Sequence, residues 1–546
     1  MVTGDREIRS YDAVIVGSGF AGAWAAKELT EAGFHTLLLE AGPPRSADEI
    51  PERFHSETDS ESGVRVIRRD TYPSRLDSGN RTRHVDVAEQ VWKNQPVQRQ
   101  HGAFLPYGPH LFVDDMQHPY ETPEGKPYFW IRGMQIGGRS LTWGGSALRL
   151  SAYELDAPEL DGCALGWPVQ YEELARAYAA VEEVMGLRGT VEELPRIPDS
   201  VYRYGPHDLT PAERDFQKAY TKSETRPIPV RFIPPGDKKV DWPGFTMQAT
   251  ALAAAYRTGR LKLQSHALVS EVTFDQGTGN ASGVRYVDTE NGSWHNVKAR
   301  VVFLCCGTIE TTRLMLNSRS RSHPDGLGNS SGLVGCGLMD HPVIRASGAL
   351  ASYPIASGFD PPSRQRGLLL PFQPDGRDDV RPFGMWVTLQ RTASAEGIPL
   401  GYIDAQGEML PYGHNRVTLS NERDRWGIPI PVIECEYGAH EQRLYGEMRR
   451  AIEQVAETMG LQITDISDAL SKPGLNVHDL GTVRMGSNSS ISVLDPQNRC
   501  WDCKNVFVTD GSCFPSAGWQ NPTLTIMALS LRAGRYAVKL LRNGTY

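Results

Sequence analysis

The chain's first apolar run, Tyr11-Asp12-Ala13-Val14-Ile15-Val16, is short and rich in β-branched residues. It breaks at Gly17-Ser18-Gly19-Phe20-Ala21-Gly22 and then changes period, reading as a helix from Ala23 to Ala32. A second apolar run, Thr36 to Leu39, ends at Glu40. The pattern predicts strand, turn, helix and strand, closed by an acid, within about thirty residues. From Pro43 to Gln100 the period is lost among Arg, Asp and Ser, which predicts irregular covering structure, a lid, or a solvated excursion without chemistry.

Order returns at Ile136-Gly137-Gly138-Arg139-Ser140-Leu141-Thr142-Trp143-Gly144-Gly145, where glycines on both sides of one Trp predict backbone packed against something flat; a plain turn cluster is the alternative. Strand-like segments follow at Leu261 to Gln264, Leu268 to Phe274 and Gly283 to Val287, with turns at Gly277-Thr278-Gly279-Asn280 and Asn291-Gly292. Ala299 to Gly307 reads as a fully buried strand, and Thr311 to Leu316 as the start of a helix. Between Val343 and Tyr437 the texture changes to short alternating strands, such as Gly384 to Leu389 and Arg416 to Leu419, which predict an antiparallel, substrate-facing module. The buried strand Asn505 to Asp510 and the apolar-periodic helix Leu524 to Leu541 close the fold against the first sheet.

Composition narrows the partners. With 546 residues, 40% hydrophobic and 22% charged, the chain has the balance of a globular protein with a sizeable core. A net charge of −8, with no basic run interleaved with aromatics, argues against nucleic acid and for a neutral or weakly charged substrate. Of the eight cysteines, only Cys500 and Cys503 form a Cys-x-x-Cys, and no second pair stands at zinc spacing, so no metal site is expected. The opening Met1 to Glu7 lacks a basic-then-apolar leader, and the strongly apolar runs are strand-sized; a soluble, cytoplasmic protein is the expectation.

The turn after the first strand carries specific chemistry. Gly17 allows the tight turn, Gly19 lets backbone approach a pyrophosphate, and Gly22 lets helix and strand pack closely. The helix N-terminus then faces phosphate, and Glu40 can accept from ribose hydroxyls. Near the other end, His478 in His478-Asp479-Leu480-Gly481-Thr482 and Asn521 in Asn521-Pro522-Thr523 are a candidate pair around one substrate hydroxyl. A histidine read alone is more often structural; the dinucleotide fingerprint and Asn521 turn the reading toward acid/base work. An imidazole of ordinary pKa, ~6.5, has a neutral fraction ready to take a proton near pH 7.

Taken together, these elements resemble the glucose-methanol-choline oxidoreductases, which bind FAD. The resemblance rests on Gly17/Gly19/Gly22 with Glu40, the Gly-rich block through Trp143, Cys306-Gly307, Asp340-His341-Pro342, the His478 segment, Asp510-Gly511 and Asn521-Pro522-Thr523, in the family's order along nearly the whole chain. It implies an α/β fold: a discontinuous Rossmann-like FAD-binding domain (1–45, 230–342 and 475–546), a covering and flavin-attachment region (46–229) and an antiparallel-sheet substrate-binding domain (343–474). Implied cofactor contacts are Gly17, Gly19, Gly22, Glu40, Gly138, Ser140, Thr142, Trp143, Gly144, Val269, Asp510, Gly511 and Thr523. His478 is the implied base and Asn521 its partner. His341 is taken as structural, and Gln390 and Arg391 as substrate contacts from the antiparallel module.

Within the family, the His478 and Asn521 segments look like those of pyranose oxidases, glycoside 3-oxidases and sugar-dehydrogenase flavin subunits. Pro127-Tyr128-Phe129-Trp130-Ile131-Arg132 and the Gly-rich block look like those of the last two groups. Fungal pyranose oxidases carry a flavin-linked His directly before the Trp; Thr142 stands there in this chain, which implies dissociable FAD. The expected reaction is oxidation of a secondary hydroxyl of a pyranose or glycoside, ring carbon 3 first, with electrons passed to dioxygen. The alternatives are a dehydrogenase delivering electrons to a quinone or to a cytochrome on another subunit, since this chain has no Cys-x-x-Cys-His, and a non-redox flavin lyase. An NAD-dependent enzyme is disfavoured by the carboxy-terminal motifs.

Overall fold

The computed structural model describes residues 10–45, 93–101, 109–160, 162, 165–220, 225–234, 246–354, 366–373, 380–394 and 397–546. Most of the irregular stretch expected from Pro43 to Gln100 lies outside them.

The β-branched run after Tyr11 forms strand β1 (Ser10–Val16), with Ala13 to Val16 buried. It pairs in parallel with β2 (Thr36–Leu39) on one side and β9 (Trp294–Leu304) on the other. β2 takes β6 (Leu261–Gln264) at the outer edge, and β17 (Val506–Val508) lies along the far side of β9. Leu39, Val16, Leu304 and Val508 therefore end in one row, the edge at which open α/β sheets place their ligands. The first half of β9 instead pairs antiparallel with β8 (Ala281–Asp288), which pairs with β7 (Ala267–Phe274). Helix α1 (Phe20–Glu31) packs against the closing helix α8 (Thr523–Arg542), so the two ends of the chain share one core.

Between these segments lie helices α2 (Ala152–Leu160) and α3 (Tyr171–Met185), the short pair β3 (Leu187–Arg188) and β4 (Tyr202–Tyr204), and α4 (Pro211–Ala219). α4 starts sharply because Thr210 and Glu213 form a reciprocal capping box and Pro211 occupies the first turn. α5 (Ala251–Arg257) packs on α1, and α6 (Thr308–Asn317) follows β9.

The second sheet is antiparallel, ordered β16-β10-β13-β12-β11-β5, from β5 (Ile228–Pro229), β10 (Val343–Ala349), β11 (Leu368–Phe372), β12 (Phe383–Ala393), β13 (Pro399–Gln406) and β16 (Gln462–Ile466). Alternation assigns its faces. Phe383, Met385, Val387 and Leu389 pack with α4 and with α7 (Ala439–Met459), whereas Trp386 turns the other way, onto Trp519. Trp519 belongs to the segment that leads into α8, so this opposite face packs on that segment, where Gln406 also donates to Trp519 O.

One expected strand goes elsewhere. Arg416 to Leu419 lies in β14 (Arg416–Arg423), which forms a separate hairpin with β15 (Pro429–Glu434) rather than joining the second sheet. Val417 and Ile433 enter the large core around β1 and β9, and Arg313 of α6 donates to Pro429 O at 2.7 Å. A one-sided alternating pattern fits either layer and does not choose between them. Among the described residues, no helix is long and apolar enough to cross a membrane.

Candidate active site

The turn after β1 is built as the glycine spacing requires. Gly17 has φ of +94°, and a Cβ there would lie 2.4 Å from Cys305 O; a Cβ at Gly22 would lie 1.9 Å from Gly17 O. Gly19 is different: a Cβ there meets nothing within 4 Å. It is the N-cap of α1, with no side-chain cap on the first turn, so backbone N–H groups face an open cradle. Gly138 approaches this turn closely, its own added Cβ falling 3.2 Å from Gly19 Cα.

Ser18, between the fingerprint glycines, knits the cradle together. Its N–H and Oγ donate to Glu40 Oε2 at 3.0 and 2.6 Å, while Oγ accepts from Gly137 N at 2.9 Å. Gly42 N donates to Glu40 Oε1 at 3.1 Å. Burial pushes the Glu40 carboxyl upward in pKa, and these bonds hold it back. Val269 lies two residues along β7 from Ala267, whose N–H donates to Glu40 O at 2.8 Å.

Ser140 Oγ donates to Gly137 O and accepts from Met247 N, fixing the Gly-rich block; Thr142 Oγ1 donates back to Arg139 O at 3.3 Å. Trp143 lies edge-on to Phe20 at 4.8 Å, and its buried Nε1 has no hydrogen-bond partner; half-buried Gly144 follows. At the end of β17, Asp510 Oδ2 accepts from Gly307 N and Thr311 Oγ1, so it clamps the start of α6. Gly511 must be glycine for close approach: a Cβ would lie 2.6 Å from Asp479 O. Thr523 opens α8. The open position at Gly19, the uncapped first turn and the orphaned indole N–H together fit a flat dinucleotide such as the FAD implied by the resemblance.

His478 and Asn521, 43 positions apart, meet with Asn521 Nδ2 3.3 Å from His478 Nε2. Ser146 Oγ donates to Asn521 Oδ1 at 3.1 Å, which sets the amide with its NH2 toward the ring. Behind the ring, His341 Nδ1 lies 3.0 Å from His478 Nδ1, with the two rings perpendicular, and His341 Nε2 lies 2.9 Å from Gly518 O. Asn476 donates to Gln406 Oε1, and Gln406 donates to Trp519 O, each at 2.8 Å. His478 is partly exposed; His341 is fully buried.

Asp340 anchors the loop that carries the base. It accepts backbone N–H bonds from Gly474 at 2.8 Å, Asn476 at 3.3 Å and His478 at 3.1 Å. Burial first, then the charge of Asp479, pushes its carboxyl up to about 7. Asp479 accepts from Tyr128 OH and lies 3.4 Å from Arg139 Nη1. Ligand-type atoms of Asp340, His341 and His478 gather within 4.8 Å, but backbone N–H groups occupy the carboxylate and a carbonyl takes the outer nitrogen of His341. This is the pattern of a hydrogen-bonded network.

Two expectations change. His341, taken as structural, lies directly against the expected base, 3.0 Å from His478 Nδ1. Gln390 and Arg391 are not at the site: Gln390, with φ of +57°, sits where the β12–β13 register shifts, and its side chain accepts from Ala212 N and donates to Pro354 O. The bulge turns that corner of β12 toward α4, where Arg391 forms a buried ion pair with Glu213 at 2.7 Å. The end of β12 nearest Trp519 is Gly384, six residues or about 20 Å away at strand rise. Cys500 and Cys503 are buried free thiols, the latter pushed up to about 12 by burial. Sequence reasoning did not find Ser18, Ser146, Gln406 or Asn476; only adjacency to the motifs marks Ser18 and Asn476, and nothing local marks Gln406.

Family profiles described as GMC oxidoreductase match residues 11–343 and residues 411–530. The chain is 28% identical to 2-methyl-1,2-propanediol dehydrogenase of Mycolicibacterium austroafricanum, over 96% of this chain and 94% of that one. It is 26% identical to the fructose dehydrogenase large subunit of Gluconobacter japonicus, over 98% and 99%. A C-glycoside 3-oxidase of Arthrobacter globiformis shares 28% identity over 50% of this chain and 52% of its own. Among solved structures, pyridoxine 4-oxidase from Mesorbium loti superposes with a TM-score of 0.60 at 18% identity, covering 96% and 98%.

Proposed function

Because the chain belongs to the GMC oxidoreductase family, we propose that it is an FAD-dependent enzyme that oxidises a secondary hydroxyl of a pyranose sugar or glycoside, ring carbon 3 first, to the ketone. The observation that carries the reading is the meeting of His478 Nε2 with Asn521 Nδ2 at 3.3 Å, on a loop held by Asp340 beside the cradle. FAD, when bound, supplies the hydride acceptor. His478 takes the hydroxyl proton, and Asn521, oriented by Ser146, donates to the same oxygen and fixes its approach. Gly17, Gly19 and Gly22 with the first turn of α1 receive the pyrophosphate, and Glu40 the adenosine ribose. With Thr142 before Trp143, the flavin is held without a covalent bond.

Dioxygen is the proposed acceptor. A dehydrogenase reading is favoured by the full-length similarity to two relatives named as dehydrogenases, one of them a dehydrogenase's large subunit. The deciding experiment is a panel of free sugars and glycosides offered to the purified yellow protein, with oxygen uptake and peroxide followed beside reduction of a quinone dye. Ketone product with peroxide supports the proposal, and ketone with the dye alone makes it a dehydrogenase. A flavin that no alcohol bleaches under anaerobic conditions rejects redox chemistry and leaves the lyase reading.

A further inference from the structure

The two nitrogens of His478 have different surroundings, and the difference runs back to one backbone carbonyl. Gly518 O only accepts, so the His341 nitrogen 2.9 Å from it, Nε2, carries a proton. With one proton on that ring, His341 Nδ1 presents a lone pair to His478 Nδ1 at 3.0 Å, which must then be the N–H. What remains on His478 is a bare Nε2, facing the NH2 of Asn521. Asn476 Nδ2 also lies 3.3 Å from His478 Nδ1; one of its two hydrogens goes to Gln406 Oε1 at 2.8 Å, and the other competes with His341 for that nitrogen from 0.3 Å farther away. The shorter contact governs.

We infer that His341 is a positioning residue that sets the tautomer of His478 and stabilises the imidazolium formed during turnover; this rests on His478 being the base. In the oxidation proposed above, the hydroxyl proton goes to His478 Nε2, and the carbon–hydrogen bond breaks with its electron pair leaving as hydride for the cofactor. The new positive charge spreads over the ring, and the Nδ1–H bond to His341 strengthens as it forms. A base held by a third group in this way follows the logic of catalytic triads, here with a neutral acceptor in the place a carboxylate often takes. The carboxylates nearby are turned elsewhere: Asp340 onto backbone N–H groups, and Asp479 onto Tyr128 and Arg139.

Two substitutions separate this role from simple packing. His341→Gln keeps an amide N–H at the outer position for Gly518 O but removes the acceptor facing His478. His341→Asn does the reverse. Both leave in place Asp340, which holds the His478 backbone N–H, and Asp479 with its partners Tyr128 and Arg139. Each flavin-loaded variant is reduced anaerobically by a sugar or glycoside that the wild type oxidises, across pH. For His341→Gln we expect the limiting rate to fall roughly 10- to 100-fold and the acid limb to move about one pH unit lower, the worth of a hydrogen bond to a charged group, with little change in substrate affinity. His341→Asn should keep the wild-type acid limb and most of the rate. A His341→Gln enzyme with wild-type rate and profile, one that folds but no longer holds flavin, or a His341→Asn enzyme as impaired as His341→Gln would overturn the inference. His478→Ala separates this from the base assignment: if it reduces at the wild-type rate, the base reading itself falls, whereas a slow His478→Ala beside a normal His341→Gln removes only the tautomer role.

Discussion

Gly19→Ala and Gly22→Ala add one methyl group to each side of the same turn, and the geometry gives them opposite consequences. At Gly22 the new carbon would lie 1.9 Å from Gly17 O, well inside the 3.0 Å that Cβ contacts respect, and a tight 3.2 Å from Ile15 Cγ2. The start of α1 must lift off β1, and the strain of such overpacking costs about 1–3 kcal/mol of stability. At Gly19 the backbone is extended (φ −69°, ψ −158°), which any residue adopts, and the methyl meets nothing. Cofactor-free Gly19→Ala should therefore unfold within about 0.5 kcal/mol of the wild type. That space is where phosphate must sit to reach the first-turn N–H groups. Losing two hydrogen bonds to a charged group, each ~1.5–3 kcal/mol, weakens FAD binding by about 3–6 kcal/mol, or roughly 10²–10⁴-fold. Urea unfolding of the apoproteins and fluorescence titration with FAD read the two quantities separately. A Gly19→Ala protein that binds FAD like the wild type would refute the cradle, as would one whose apo form is the less stable of the two variants.

Other consequences follow from named contacts. Arg391→Ala leaves Glu213 buried and unpaired, so it should destabilise the protein by about 3–5 kcal/mol without changing the sugar KM; a raised KM at unchanged stability would return Arg391 to the substrate site. Ser146→Ala frees the Asn521 amide and should slow anaerobic flavin reduction by roughly fivefold, the worth of one neutral hydrogen bond, while leaving flavin content alone; an unchanged rate would mean Asn521 is oriented by something else. Asp340, held up at about 7 by burial and Asp479, binds its proton more tightly folded than unfolded. The stability it contributes is full below about pH 4 and is lost as pH rises through about 7. Asp340→Asn should flatten that stretch of the urea-denaturation profile, and a slope equal to the wild type's would place the titration elsewhere.

The parts legible in the sequence are those in which one local pattern has one physical solution. The run before Gly17 had to be a buried strand, and Gly17, Gly19 and Gly22 each matched a distinct contact: a positive φ, an open cradle and a helix seated on backbone. His478 and Asn521 were readable as a pair because each lies in its own short motif. What sequence could not order was anything decided by packing between distant segments. Alternation along Arg416 to Leu419 was satisfied equally by two layers, and Arg313 and the core around β9 chose between them. Gln390 and Arg391 looked available for substrate because a bulge has no clear local signature; one residue at positive φ moved both to α4. His341 is the sharpest case. Nothing in Asp340-His341-Pro342 points 137 residues onward to His478, and the link exists only because Gly518 and Asp340 bring the two loops together.

The central claim, that the carboxy-terminal loop carries the base, is tested most directly by anaerobic stopped-flow reduction of the flavin in His478→Ala. Normal flavin content is expected, with a reduction rate lower by ~10²–10⁴-fold, the range for loss of a general base, and partial recovery as pH rises and hydroxide takes the proton. Flavin reduced by the same sugar or glycoside at the wild-type rate would contradict it.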